Sequence, residues 1–308
     1  MRILITGGAG FIGSNLTAHA LRGGHEVTVL DNLATGYREN VDESTTRFIE
    51  GSITDPAMIT AALEGVDAVI HLAALGSVPR SVKDPLATHR TNIDGTLNLL
   101  EGMRQAGVEQ ITFASSSSVY GKNPAMPKHE REWVRPMSPY AVSKLAGEQY
   151  ILAYQESFGL STTAFRFFNV YGPGQRAGHA YAAVIPIFLD ALLRDEPLPI
   201  NGDGTQTRDF TFVDTVCSAL LESAERGTRI DEPVNLAFGT NTSLLSLIEI
   251  IEDVTGKSAR VEHRPPRVGD VPHSQAANDC LREHFPEVEP VSLREGISRT
   301  WEWMQQQA

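Results

Sequence analysis

Short apolar runs alternate along the chain with longer stretches that have helical periodicity. The runs at residues 3–6 and 27–30 are almost wholly apolar, a pattern typical of parallel strands that helices cover on both faces. Residues 11–22, 84–105 and 138–158 instead place apolar side chains at the spacing of an amphipathic helix. This alternation predicts βαβ units built on a parallel sheet.

The pattern changes after Asn169, where prolines interrupt shorter elements. These prolines are Pro173, Pro186, Pro197, Pro199, Pro233, Pro265, Pro266 and Pro272. We therefore predict an α/β fold, with a Rossmann-type doubly wound parallel sheet in residues 1–170. Residues 171–308 are predicted to form a smaller C-terminal lobe, and we expect some of its segments to return to the first domain.

Composition and charge exclude several classes of function. The 308 residues include 38 acidic and 26 basic side chains, a formal net charge of −12 that disfavours binding to nucleic acid or to an anionic membrane. Two cysteines, Cys217 and Cys280, are too few for a disulfide framework and have no metal-ligand spacing, so no metal site is predicted. Since no apolar run approaches the roughly 20 residues that span a bilayer, we expect a cytoplasmic protein.

Three glycines, Gly7, Gly10 and Gly13, join the first predicted strand to the first predicted helix. Glycines at this junction permit a tight turn and a close approach of the backbone to a pyrophosphate. Asp31 ends the second predicted strand, where a carboxylate can accept the ribose hydroxyls and repel a 2′-phosphate. The sequence therefore predicts a dinucleotide site that prefers NAD to NADP; the alternative for Asp31 is an acid that only caps the next turn.

Tyr140 and Lys144 lie four positions apart on a helix that Pro139 is predicted to open, so both side chains project from one face. A tyrosine with its ordinary pKa of about 10 is only about 0.1% ionised at pH 7, but a neighbouring cation stabilises the phenolate. The pair follows a serine run, residues 115–118, at the end of a predicted strand, which is the sheet edge where such folds place their chemistry. These residues predict acid–base catalysis without a metal.

Taken together, residues 6–13, 115–121 and 140–144 resemble the extended short-chain dehydrogenase/reductase superfamily, particularly its nucleotide-sugar epimerases. Longer segments are similar to UDP-hexose 4-epimerases, and most of all to the type that acts on UDP-N-acetylglucosamine. These segments are residues 31–33, 71–81, 91–96 and 181–186. The resemblance implies an NAD cofactor, a UDP-sugar substrate and epimerisation at C4 through a 4-keto intermediate.

The resemblance also implies roles for individual residues. Tyr140 is the catalytic base, Lys144 its activator and Ser116 the catalytic hydroxyl. The residues implied to bind the cofactor are Gly7, Gly10, Phe11, Ile12, Gly13, Asp31, Asn32, Ile53, Leu72, Ala73, Ala74, Asn92 and Lys144. Those implied to bind the substrate are Ser77, Ser117, Ser118, Asn169, Arg176, Val184, Arg208, Arg267, Asp270 and Ser274.

Two positions bear on the choice of substrate, and a third bears on recognition of the adenine. Ser274 stands where relatives restricted to glucose and galactose carry a tyrosine, so it leaves space for an N-acetyl group as well as for the smaller UDP-hexoses. Arg176 is a possible partner for a carboxylate and makes UDP-glucuronate an alternative substrate. Ser52 replaces an acid that relatives usually carry near the adenine.

Other functions remain open on the same residues. Related dehydratases carry an acidic pair where this chain has Ser117 and Ser118, so dehydration is disfavoured. A nucleotide-sugar dehydrogenase or reductase is the alternative enzyme, and a non-catalytic NAD-binding regulator is the alternative outside catalysis. The resemblance further implies a homodimer paired through the helices at residues 84–105 and 138–158, although leucines there, such as Leu86 and Leu99, would serve internal packing equally well.

Overall fold

The computed structural model describes residues 1–178, 183–265 and 272–307. The strands in these ranges are two to seven residues long. They are β1 Arg2–Thr6, β2 Glu26–Asp31, β3 Arg47–Glu50, β4 Ala68–His71, β5 Gln110–Ser116, β6 Ser161–Phe167, β7 Asn169–Tyr171, β8 Leu198–Asn201, β9 Thr207–Arg208, β10 Phe210–Phe212, β11 Val234–Leu236, β12 Thr242–Ser243 and β13 Val261–Arg264. Within these ranges seven strands form one sheet in the order β11-β6-β5-β4-β1-β2-β3. The pairs among β1 to β6 are parallel, as the apolar runs predict.

Helices connect the strands. They are α1 Phe11–Arg22, α2 Pro56–Ala62, α3 Val78–Lys83, α4 Pro85–His89, α5 Gly95–Ala106, α6 Pro139–Phe158, α7 Val184–Leu193, α8 Val213–Arg226, α9 Leu244–Thr255, α10 Asp279–His284 and α11 Leu293–Gln307. The sheet reverses its strand order between β1 and β4, and in doubly wound folds ligands bind beyond the carboxyl ends of the strands at this point. No helix in the described ranges is long and apolar enough to cross a membrane.

The predicted helix at residues 84–105 is interrupted. A π-helical turn at Arg90–Asp94 separates α4 from α5. Asn92 lies in this turn, and its buried amide hydrogen-bonds Leu75 and Ser143. Such tertiary contacts do not appear in the apolar periodicity, which is why the sequence pattern predicts one uninterrupted helix.

A hydrophobic core lies between the sheet and helices α2, α5 and α6. Ile111 and Phe113 of β5 contribute to it, together with Leu99 and Leu100 of α5 and Ile151 of α6. Each fully buried side chain of this size contributes about 1.5–3 kcal/mol relative to an exposed one. The structure therefore assigns Leu99, Leu100 and Ile151 to internal packing, so they are not available for an interface between subunits.

The chain divides into two compact units. The first comprises residues 1–124, 130–167 and 217–235, and contains most of the seven-stranded sheet. The second comprises residues 125–129, 168–216 and 236–308, in which small sheets pair β7 with β10, β8 with β13 and β9 with β12. In the second unit α11 packs closely on β7 and β10 because Gly296 has no side chain: a Cβ there would lie 2.2 Å from the Tyr171 hydroxyl and 2.7 Å from the Phe212 ring.

Candidate active site

The backbone is crowded in the loop between β1 and α1 and in the first turn of α1. Gly7 has a φ of +76°, and a Cβ on it would lie 2.7 Å from the Ala73 nitrogen in the loop after β4. A Cβ on Gly13 would lie 2.2 Å from the Gly7 carbonyl oxygen. Gly10 precedes α1 without a side-chain cap, so the amides of Phe11, Ile12 and Gly13 begin the helix uncapped by a side chain. Crowded backbone and a helix N-terminus fit the pyrophosphate of a dinucleotide.

Asp31 connects the end of β2 to the glycine loop. Its carboxylate accepts a hydrogen bond from the Ala9 amide at 3.0 Å and another from the Leu33 amide at 2.8 Å. Burial raises the pKa of Asp31 above its ordinary value. Asp31 thus caps a turn, as in the alternative interpretation, and also holds the backbone of the glycine loop at Ala9. The neighbouring Asn32 is exposed, and its side-chain oxygen accepts a hydrogen bond from the Ala34 amide at 3.1 Å.

The loop after β4 contains the predicted cofactor residues Leu72, Ala73 and Ala74, all partly buried. Asn92 holds this loop: its side-chain oxygen accepts from the Leu75 amide at 2.7 Å, and its nitrogen donates to the Leu75 carbonyl at 3.3 Å and the Ser143 hydroxyl at 2.9 Å. These bonds connect the Asn92 side chain to the backbone of the loop that contains the predicted cofactor residues. Ile53, a further predicted cofactor residue, is buried in the hydrophobic core of the first unit.

His71 is a site residue to which the sequence assigned no role. It ends β4, is buried, and hydrogen-bonds Thr6 at 2.6 Å through Nδ1 and Thr96 at 3.0 Å through Nε2. Burial, with a smaller contribution from the charge of Lys144, lowers the pKa of His71 to about 3. The imidazole is therefore neutral at physiological pH. In the sequence, His71 could have been recognised by its position at the carboxyl end of a predicted central strand.

Ser116 and Tyr140 are brought together by β5 and α6. Ser116 is the last residue of β5, and its hydroxyl accepts hydrogen bonds from the Ser118 hydroxyl at 2.9 Å and the Ser118 amide at 3.2 Å. Tyr140 lies in the first turn of α6, whose N-cap is Ser138 and whose first residue is Pro139. The Ser116 hydroxyl lowers the pKa of the Tyr140 phenol, against the larger, raising effect of burial.

Lys144 follows Tyr140 by one helical turn. It is buried, and its ammonium group donates to the Ala114 carbonyl of β5 at 2.7 Å. Burial lowers the pKa of Lys144 to about 8, so the ammonium form predominates at pH 7. A buried cation, a phenol and a serine hydroxyl together form an arrangement that can transfer the proton of an alcohol.

The second unit contains a cavity of about 490 Å³. Three predicted substrate residues line it: Asn169 of β7, Val184 of α7 and Arg208 of β9. Sequence reasoning missed other lining residues, among them Phe168, Phe210, Asn201, Gln206 and Arg264. Of these, Gln206 and Arg264 had a usable signal, because each is a polar residue within three positions of a predicted phosphate-binding arginine.

The backbone around Arg208 is held by the next residue, Asp209. Its buried carboxylate accepts hydrogen bonds from the amides of Gly239 at 3.0 Å, Thr240 at 3.2 Å and Ala276 at 3.0 Å, and from the Thr240 hydroxyl at 2.8 Å. Its carbonyl accepts from both the backbone and side-chain nitrogens of Asn169. Asp209 therefore holds in place two residues that line the cavity, its chain neighbour Arg208 and its hydrogen-bond partner Asn169.

The remaining predicted substrate residues lie elsewhere. Ser77 has a φ of +103° and caps α3, and Ser117 and Ser118 form the turn after Ser116. Ser274 is partly buried and donates its amide to the Thr207 carbonyl, while Arg176 is exposed in the loop after β7. Neither of these two is among the residues that line the cavity. Arg267 and Asp270 lie outside the described residues.

A comparison with known protein families agrees with the two groups described above. These are the glycine loop and the arrangement of Ser116, Tyr140 and Lys144. The model of the NAD dependent epimerase/dehydratase family matches residues 3–237. The chain belongs to this family. The NAD dependent epimerase/dehydratase family is the one that the sequence motifs predict, and its NAD cofactor fits the glycine loop, where the backbone at Gly7 and Gly13 leaves no room for a side chain.

Characterised relatives within the family cover the whole chain. The UDP-glucose 4-epimerase of Mycolicibacterium smegmatis is 40% identical in an alignment 312 positions long that covers 98% of each chain. The structure of UDP-N-acetylglucosamine 4-epimerase from Methanobrevibacter ruminantium in complex with UDP-N-acetylmuramic acid has a TM-score of 0.95 and 37% identity, covering 100% of this chain and 99% of that one. The NAD complex of Thermus thermophilus UDP-glucose 4-epimerase has a TM-score of 0.90 and 36% identity, covering 100% of both chains. These likenesses confirm the predicted Rossmann-type fold.

Proposed function

We propose that the protein is an NAD-dependent UDP-sugar 4-epimerase. The observation that carries this proposal is the buried Lys144, one turn of α6 after Tyr140, whose ammonium group donates to a carbonyl of the strand that ends at Ser116. This acid–base group lies in the unit that also contains the glycine loop. The proposed activity is the one named for the relatives in Mycolicibacterium, Methanobrevibacter and Thermus.

The chain supplies the proton transfer, and the cofactor supplies the redox chemistry. When bound, NAD would accept a hydride from the sugar C4 atom and return it to the opposite face of that atom. Gly7, Gly10 and Gly13 would hold its pyrophosphate, and Asp31 its adenosine ribose. Tyr140 would take the proton of the 4-hydroxyl group and later give it back, as one group acting first as base and then as acid.

Ser116 and Lys144 make this proton transfer feasible at neutral pH. The Ser116 hydroxyl lowers the pKa of Tyr140 and so favours the phenolate. A neighbouring cation such as Lys144, one turn further along α6, favours the same ionised form. Because Lys144 is buried, its charge is poorly screened by solvent and acts strongly over a short distance. The neutral His71 leaves Lys144 as the cation of this group at pH 7.

The cavity of the second unit suits the nucleoside diphosphate part of the substrate. Its aromatic and apolar lining includes Phe168 and Phe210, and Arg208 supplies a planar fork of donors that matches a phosphate. Arg267, Asp270 and Ser274 are further proposed ligands on the strength of the family resemblance. Since a serine at position 274 leaves space at the sugar C2 atom, we propose UDP-N-acetylglucosamine and UDP-glucose as the substrates, ahead of UDP-glucuronate bound through Arg176.

Incubation of the purified protein with UDP-glucose, UDP-N-acetylglucosamine and UDP-glucuronate, one at a time, tests this assignment. We expect the C4 epimers of the first two to form without a net change in absorbance at 340 nm, because the hydride returns to the same sugar. A net rise in that absorbance would instead identify a dehydrogenase. Turnover of the uronate alone would replace the proposed substrates and make Arg176 the ligand of its carboxylate.

Removing the Asp31 carboxylate should change the choice between dinucleotides. We expect Asp31→Ala to bind NAD about tenfold more weakly and to lose its discrimination against NADP, since one charged hydrogen bond contributes about 1.5–3 kcal/mol. The affinities of both dinucleotides can be measured by calorimetry. Asp42→Ala is the matched control, because Asp42 also caps a turn by accepting from the amide two residues on, yet lies outside the loop. An unchanged preference in Asp31→Ala would show that Asp31 is a turn residue only.

We also propose a homodimer, as the family resemblance implies. Helices α3, α4 and α6 of the first unit pack together, and Val82, Leu86 and Val142 on them are exposed. Clustered exposed apolar side chains of this kind commonly mark a protein interface. Light scattering at micromolar concentration should give twice the mass of one chain, and Leu86→Glu should give a monomer. A wild-type monomer at that concentration would contradict the proposal.

A further inference from the structure

A buried ion pair lies behind the serine run. Glu148 of α6 and Arg166 of β6 form two parallel hydrogen bonds, of 2.7 Å between Nη2 and Oε1 and 3.0 Å between Nε and Oε2. The side chain of Glu148 is 0% exposed and that of Arg166 is 4% exposed. Both residues belong to the first unit, and neither was singled out by the sequence motifs.

Stability alone is a poor reason for such a pair. Removing two charges from water costs about as much as their attraction returns, and well-packed apolar residues are often at least as stable. Burial disfavours the charged form of Arg166, but the hydrogen bonds and charge of Glu148 outweigh this and raise its pKa above the ordinary value. The guanidinium of Arg166 therefore stays ionised, and the pair is a fixed point inside the fold.

This fixed point contacts the first residue of the serine run and the last residue of the turn that follows Ser116. On the side of β5, the Ser115 hydroxyl donates to Glu148 Oε2 at 2.7 Å, and Ser115 is the residue before Ser116. On the other side, the guanidinium of Arg166 lies over the ring of Tyr120, 4.8 Å from its centroid. Tyr120 ends the turn that begins after Ser116, and its own hydroxyl donates to Asn235 at 2.7 Å.

Glu148 of the pair lies on α6, the helix that also carries the proposed base, Tyr140. Tyr140, Lys144 and Glu148 occupy successive turns of α6 at a spacing of four, so they lie along one face. A shift of Glu148 relative to Ser115 therefore displaces α6 along β5 and changes the distance between Tyr140 and Ser116. One ion pair thus connects the strand, the turn and the helix that bring the two reacting groups together.

We propose that Glu148 and Arg166 are positioning residues that set the alignment of Ser116 with Tyr140. The proposal rests on the proposed epimerase function, because it gives that alignment a consequence for turnover. Neither residue touches the reacting groups: Glu148 acts through Ser115, and Arg166 acts through Glu148 and Tyr120. Their effect therefore falls on the rate of the chemical step and leaves substrate binding unchanged.

The test replaces both charges at once. The double variant Glu148→Met/Arg166→Met removes the pair without leaving an unpaired buried charge, so we expect its melting temperature to stay close to that of the wild type. We expect its kcat to fall about 10- to 100-fold, since a misplacement of about 1 Å can cost a hundredfold in rate. Its KM for the UDP-sugar and its NAD content should be unchanged.

Gln155→Met is the matched control. Gln155 lies near the end of the same helix, is buried, and loses two hydrogen bonds in the variant, to Thr162 and Asp231. A merely structural role for buried polar groups predicts a lower melting temperature and an unchanged kcat for this control. A double variant with the kcat of the wild type would overturn the proposal.

A crystal structure of the double variant gives a readout that does not depend on turnover. We expect the Ser116 and Tyr140 hydroxyls to lie farther apart in it than in a crystal structure of the wild type; an unchanged separation would overturn the positioning role. If the wild type turned over no UDP-sugar, the proposed function would fail while this comparison still decided what the ion pair does.

Discussion

Replacing Tyr140 with phenylalanine should lower the turnover of UDP-sugar by about a thousandfold and leave ligand binding nearly unchanged. The phenol is the group that takes and returns the 4-hydroxyl proton in the proposed mechanism, and positioned acid–base groups contribute about 10²–10⁴ in rate. Loss of one hydroxyl in the first turn of α6 leaves Pro139 and the Ser138 cap of that helix in place. Kinetics with the two preferred sugars, together with the NAD content of the purified variant, measure both halves of the expectation.

Tyr150→Phe is the control for this result, because Tyr150 lies on the same helix with its side chain at the surface. It should have the kcat of the wild type. Near-normal turnover in Tyr140→Phe would mean that another group carries the proton, and the mechanism would be wrong. A loss of NAD binding in that variant would instead mean that the phenol has a structural role in the cofactor site.

Gly13→Ala should abolish most of the affinity for NAD. The new Cβ would lie 2.2 Å from the Gly7 oxygen and 2.6 Å from the Gly8 Cα, and both are backbone atoms that cannot move aside alone. Overpacking costs about 1–3 kcal/mol, so the distorted loop should bind NAD about 10- to 100-fold more weakly. Equilibrium binding of NAD to the apoprotein gives the number directly.

Gly24→Ala separates crowding from backbone strain. Gly24 has a φ of +78°, yet a Cβ there would meet nothing within 4 Å, and it lies in the turn before β2, outside the nucleotide loop. We expect this variant to lose about 1 kcal/mol of stability and none of its NAD affinity. If Gly13→Ala bound NAD as tightly as Gly24→Ala, the loop would not be the pyrophosphate site.

The features that were predictable from sequence are local ones. The spacing of Gly7, Gly10 and Gly13 and the four-residue step from Tyr140 to Lys144 follow from the geometry of one turn and one helix. The parallel sheet follows from the apolar runs because burial on both faces leaves a direct mark on composition. In each case the pattern lies within one short segment of the chain, so it is visible before folding.

What the sequence could not show depends on distant pairs. Glu148 and Arg166 meet across two elements, and a lone arginine in a strand gives no sign that its charge will be buried. Arg264 reaches the cavity only because β13 pairs with β8 in a register that sets it opposite Asn201. The π-helical turn around Asn92 likewise exists for partners, Leu75 and Ser143, that come from other segments.

The four hydrogen bonds to Asp209 have a consequence for the response of the second unit to ionic strength. The donors described around this carboxylate are amides and a hydroxyl, all of them neutral, so dissolved ions have little to screen there. Arg208, by contrast, would attract its ligand by charge, an attraction that salt weakens. Raising the salt concentration should therefore loosen the hold on a nucleotide sugar while the walls that Asp209 supports keep their shape.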